Sequence, residues 1–61
     1  MRAYPLPPLD HEHARGLRER LHALPGVREA QVQAAERMVY LKVDARAFEE
    51  RDVLKLIAGE S

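Results

Sequence analysis

The spacing of apolar residues changes its period along the chain, and the first regular segment has the period of a helix. From His11 to Leu24 the apolar positions recur at intervals of three and four, which is typical of one face of an α-helix. These positions are Ala14, Leu17, Leu21 and Leu24. Asp10 is a preferred N-cap residue, and Pro25-Gly26 ends the helix, because glycine can adopt the left-handed conformation.

The next segment alternates with a period of two. Ala30, Val32 and Ala34 alternate with Glu29, Gln31 and Gln33, and Val39, Leu41 and Val43 alternate with Met38, Tyr40 and Lys42. This pattern predicts a β-hairpin with one buried face that turns near residues 35–37. We expect Gln31, Gln33 and Tyr40 to face outward.

The two ends of the chain complete the order of elements. Pro5, Pro7 and Pro8 exclude a helix and a fully paired central strand, so a short edge strand is expected before the first helix. A helical stripe near the C-terminus predicts a second helix that ends at Gly59. We expect one domain over residues 1–61, and its core comprises Leu17, Leu21, Val32, Val39, Leu41, Val43, Val53, Leu56 and Ile57.

Composition excludes several classes of function. Ten basic residues balance ten acidic residues, so no net charge attracts a nucleic acid or an anionic membrane. No apolar run is long enough for a membrane span or a signal peptide, and a soluble cytoplasmic protein is expected. The chain has no Cys or Thr and has a single Ser at its last position, so it lacks a held hydroxyl or thiol nucleophile. We therefore expect no enzyme activity.

Three stretches together suggest a family. These stretches are "LRERLHALPGVREAQV", "MVYLKVD" and "VLKLI". Through them, over about residues 10–58, the chain resembles the heavy-metal-associated domains of copper chaperones and metal-pumping ATPases. The resemblance implies an α+β, ferredoxin-like βαββα fold, with an antiparallel sheet, two helices on one face, and the last family strand missing. It also implies a non-enzymatic metal-binding or metal-handling role, with a metal-handling protein as partner.

The metal loop of that family is altered in this chain. Aligned on the family spacing, its two cysteines fall at Asp10 and His13, within the sequence Asp10-His11-Glu12-His13. These four residues are the candidate ligands, and their imidazole and carboxylate groups suit Zn, Ni, Co or Cu(II) but not Cu(I). Asp10 and His13 converge on a helix, but two ligands are too few, so additional ligands are needed from His11, Glu12, water or a second subunit. The alternative is a capped helix with solvated histidines.

A second candidate surface lies on the sheet. Met38 and Tyr40 occupy the strand face that the helices leave open, and Tyr4 is expected to join them. The basic aromatic signature of RNA-recognition motifs is missing, so a protein contact is a better interpretation than RNA binding. Ordinary half-exposed sheet residues without a binding role are the alternative. With the last strand absent, the first strand becomes an edge and a homodimer is expected. The alternative function is therefore a metal-free protein-interaction or oligomerisation module.

Overall fold

A computed structural model describes residues 1–60 of the chain. Its elements are β1 (Arg2–Pro5), α1 (His11–His22), β2 (Val27–Gln33), β3 (Met38–Val43) and α2 (Glu50–Ala58). The predicted order of strand, helix, hairpin and helix is confirmed. Asp10 is the N-cap of α1 and Gly59 is the C-cap of α2, both as expected.

The strands form an antiparallel sheet in the order β1-β3-β2. In the register of this sheet Tyr4 lies opposite Val39, and Ala30 lies opposite Leu41. The central strand is therefore β3, and each outer strand has one free edge within residues 1–60. This is the predicted α+β fold, with a ferredoxin-like arrangement that has no fourth strand in the described part of the chain.

The core lies between the sheet and the helices. Five of its side chains have no exposed surface, and all five were predicted: Leu17, Leu21, Val39, Leu41 and Val53. The other predicted members are partly buried against this cluster: Val32, Val43, Leu56 and Ile57. Gln31 is exposed and pairs with Tyr40 across the sheet, on the face opposite Val39 and Leu41, so the predicted alternation is confirmed.

Tyr4 departs from the sequence-based expectation. Its position opposite Val39 places it on the helix face of the sheet, where it is only 8% exposed. Its hydroxyl donates a hydrogen bond to Glu50 Oε2 at 2.9 Å. The prediction that Tyr4 joins Met38 and Tyr40 on the open face is therefore wrong, because the pleat of β1 turns its side chain into the core.

The turn after α1 shows why the stretch Leu-Pro-Gly-Val is needed. Gly26 has a φ of 80°, and a Cβ atom at this position would lie 2.6 Å from the backbone nitrogen of Phe48. Its carbonyl accepts a hydrogen bond from the N–H of Asp44 at 2.7 Å. Only glycine permits this close approach. The contacts of Gly26 thus hold the turn before β2 against the loop before α2.

Candidate functional site

The N-terminus of α1 brings together two of the four candidate metal ligands. Oδ1 of Asp10 accepts hydrogen bonds from the backbone N–H of His13 and from its ring nitrogen Nδ1, both at 2.7 Å. Asp10 can accept the first of these because its backbone is extended, as an N-cap residue requires. The predicted convergence of the two side chains is thus confirmed, and the same geometry is that of a helix cap.

The two side chains shift each other's protonation. The hydrogen bond from the backbone of His13, followed by the one from its ring, lowers the pKa of Asp10. The hydrogen bond to Asp10, followed by the attraction of its negative charge, raises the pKa of His13. The side chains are 65% and 66% exposed, so solvent screens the pair and its contribution to stability is small.

This geometry limits what the site could do with a metal. Oδ1 of Asp10 is already bonded to His13 Nδ1, and a metal held by these two atoms would have to replace that bond. Within residues 1–60, no three His, Asp or Glu side chains come together in a group that could hold a metal ion. Metal binding by Asp10, His11, Glu12 and His13 stays a prediction, which zinc calorimetry on the native chain and on His13→Ala would check.

The open face of the sheet holds the second candidate surface. Met38 and Tyr40 are half-buried there, and the exposed Pro5 and Ala3 lie opposite them on β1. The hydroxyl of Tyr40 lies 3.5 Å from a carboxylate oxygen of Glu36, at the limit of a hydrogen bond. This face therefore presents both apolar and polar side chains.

A third feature is the free edge of β1, which confirms the prediction that the first strand lies at an edge of the sheet. Leu54 of α2 is 48% exposed, although it is a large apolar residue. The helix is held near this edge by the hydrogen bond from Tyr4 to Glu50 and by an ion pair between Arg2 and Glu50 at 3.8 Å. Leu54 lies one position after Val53 and so falls outside the core stripe, which is the signal that could have revealed it.

Comparison with known families now adds to this geometry. The sequence profile of the YajR YAM domain matches residues 6–58, which is most of the chain. The chain belongs to the YajR YAM domain family. No curated protein and no solved structure matches the sequence closely enough to add to this assignment.

Membership of the YajR YAM domain family corrects the resemblance to heavy-metal-associated domains, which no family match supports. The residues behind that resemblance have structural roles in this chain: Leu21 and Leu41 are core, and Gly26 makes the turn after α1. Such residues indicate a ferredoxin-like backbone. They do not indicate a function, because many unrelated functions share one fold. The metal-carrying role and the metal-handling partner that the resemblance implied therefore lose their basis.

One further expectation concerns membranes. In the part of the chain that the structure covers, residues 1–60, no helix is both long and apolar enough to cross a bilayer.

Proposed function

We propose that this YajR YAM domain chain is a non-enzymatic, cytoplasmic association module that pairs with a second copy of itself along the free edge of β1. The observation that carries the proposal is the position of β1 at the edge of the sheet. The exposed apolar Leu54 of α2 is the side chain that we expect to add to the interface. No metal is needed for this function.

The backbone of β1 offers hydrogen-bonding groups to a partner strand. In an antiparallel pair, successive residues direct their N–H and C=O groups to opposite sides of the strand. The N–H of Leu6 is bonded to the carbonyl of Arg37, on the β3 side, so the even-numbered residues of this segment face β3. Ala3 therefore directs its N–H and C=O outward. A second β1 strand, related by a twofold axis, could pair with them.

We expect apolar side chains of α2 and of the loop before it to add to the proposed interface. Leu54 is 48% exposed, and Phe48, Leu56 and Ile57 are partly buried against the core. Burial of such surface by a partner is favourable at about 25 cal/mol per Å². Because the chain has no formal net charge, two copies meet without long-range repulsion.

Composition is compatible with this module. The lack of Cys and Thr leaves no thiol and almost no hydroxyl nucleophile for catalysis.

Sedimentation equilibrium of the untagged chain tests the proposal. We expect a concentration-dependent rise above the monomer mass of 7.0 kDa. Leu54→Gln should raise the dissociation constant of the dimer by about fivefold, the equivalent of about 1 kcal/mol of lost apolar burial.

Ala23→Gln is the matched control, since it places the same amide on an exposed residue at the end of α1. It should leave the dissociation constant unchanged. A mass of 7.0 kDa at every concentration up to the solubility limit would contradict the proposal. An equal effect of both substitutions would place the interface elsewhere.

A further inference from the structure

A groove lies on the opposite side of the molecule, between α1 and the end of β2. It has a volume of about 270 Å³, and its lining consists of His11, Ala14, Arg15, Arg18, Val32 and Ala34. The α1 residues of this set are spaced by three and four, so they share one face of the helix. Because β2 is an edge strand, we refer to this feature as the β2-edge groove.

The β2-edge groove combines an apolar floor with a cationic rim. Ala14, Val32 and Ala34 form the apolar part, and no carboxylate lines the groove. Arg15 and Arg18 take part in no ion pair among residues 1–60, whereas Arg20 is paired with Glu60. The rim therefore carries two guanidinium groups that form no ion pair within residues 1–60.

The free edge of β2 borders this groove. Arg18 Nε donates a hydrogen bond of 3.3 Å to the carbonyl oxygen of Ala30. This carbonyl is therefore directed away from β3, and by the alternation of an antiparallel strand Val32 also directs its N–H and C=O to the free edge. The bond is long for an N–H donor, so a backbone N–H from another strand could replace Arg18 at little cost.

From these observations we propose that the β2-edge groove binds an acidic, extended segment of a partner protein as an added strand on β2. The face from His11 to Arg18 extends over about 10 Å, which is the length of about three strand residues. Side chains at alternate positions of an added strand point toward the same face, about 7 Å apart. Carboxylates at two alternate positions can therefore reach Arg15 and Arg18, which lie one helical turn apart.

This site differs from the proposed dimer in its position and in its chemistry. The dimer uses the edge of β1 and an apolar contact at Leu54, whereas the groove uses the edge of β2 and two cations. Arg18 has two roles in the proposal: it covers the backbone of β2 when the groove is empty, and it binds a carboxylate when a partner strand is present.

The test is a titration of the isotope-labelled full chain, followed by NMR, with a short peptide that carries glutamate at alternate positions. We expect shifts of the backbone amides of residues 30–34, with the largest changes at Val32. Arg15→Gln and Arg18→Gln should each weaken binding by about two- to fivefold, which is the range for a partly exposed ion pair. Arg51→Gln, on α2, should leave binding unchanged.

Two further measurements separate this proposal from others. A peptide with glutamine in place of glutamate should bind more weakly, and added salt should weaken binding of the acidic peptide. Leu54→Gln should have no effect, which distinguishes the groove from the dimer interface. A different outcome is that inorganic phosphate shifts the NMR signals of Arg15 and Arg18 while the peptide leaves the amide signal of Val32 unchanged. That result would show a small-anion site and overturn the proposal. Unchanged peptide affinity in Arg15→Gln would also overturn it.

Discussion

The two edges of the sheet are protected in different ways. β1 has four residues and ends at Pro5, which has no N–H to offer, whereas β2 has seven residues and runs beside α1. On β2 the carbonyl of Ala30 is covered by the guanidinium of Arg18. Both devices limit uncontrolled strand pairing, which is the hazard of any exposed edge.

The difference between the edges indicates different partners. For the β1 edge we propose that the exposed, apolar Leu54 of α2 contributes, so a partner there would gain by burying surface. Beside β2 the exposed groups are Arg15 and Arg18, so a partner there gains by supplying carboxylates. A small domain can thus carry two strand-addition sites that do not compete, because side chains beside each edge select the partner.

Both edges depend on β3, and the largest effect is expected from a substitution there. Leu41 is fully buried in this strand, so Leu41→Ala should cost about 2–5 kcal/mol of unfolding free energy. A domain of this size has only about 3–9 kcal/mol in total. Urea denaturation at low protein concentration measures the loss.

Leu54→Ala is the control for Leu41→Ala, since it removes the same atoms from a half-exposed site. It should cost under about 1 kcal/mol in the monomer. Similar losses for the two variants would show that Leu41 does not lie in the core, and both edges would then need a different description.

The β1 edge can be weakened selectively through its link to α2. Tyr4→Phe removes the hydroxyl that donates to Glu50, and we expect a loss of about 1 kcal/mol, the usual net value of a hydrogen bond. Tyr40→Phe is the matched control on the other face, where the hydroxyl lies 3.5 Å from Glu36. Its effect should stay within about 0.5 kcal/mol. Equal urea midpoints for the two variants would argue against the Tyr4–Glu50 bond.

The smallest effect concerns α1, which packs against β2 and has Asp10 as its N-cap. The raised pKa of His13 means that its contribution is present below the ordinary imidazole pKa and is lost as the pH rises through the folded-state pKa. The lowered pKa of Asp10 means that its contribution is present above the ordinary carboxyl pKa and is lost as the pH falls through the folded-state pKa. Stabilisation by the pair should therefore be greatest between about pH 4 and 6.5.

Thermal melts of the native chain and of His13→Gln across this pH range would detect the effect. The difference in Tm should be largest between the two pKa ranges and should shrink above and below them. His22→Gln is the control, because His22 is exposed and takes part in no ion pair within the described residues. A Tm difference for His13→Gln that does not change with pH would mean that the attraction between the charged forms of Asp10 and His13 contributes nothing to stability.

Local patterns in the sequence were sufficient for much of this fold. The spacing of Leu17 and Leu21 predicted α1, and the alternation around Val39 and Leu41 predicted the hairpin, because burial on one face forces a period on each element. Asp10 was predicted as an N-cap because its side chain bonds within its own turn. These features depend on neighbours only a few residues away.

The candidate site was less accessible to sequence reasoning. Tyr4 was assigned to the wrong face, because the register of a four-residue strand beside β3 is set by long-range pairing with Val39. The β2-edge groove and the cover on Ala30 by Arg18 were not predicted, since α1 and β2 meet only in the folded chain. The heavy-metal resemblance was wrong because it rested on residues that specify backbone geometry.

The sequence by itself thus determined the elements, their order and the apolar face of each, since these follow from periodicity and local capping. Only the tertiary structure decided which strand is central, which face receives Tyr4, and which cations of α1 lie beside a free edge. The physical reason is that strand pairing and helix docking join residues far apart in the chain. No local pattern specifies which of these distant residues will meet.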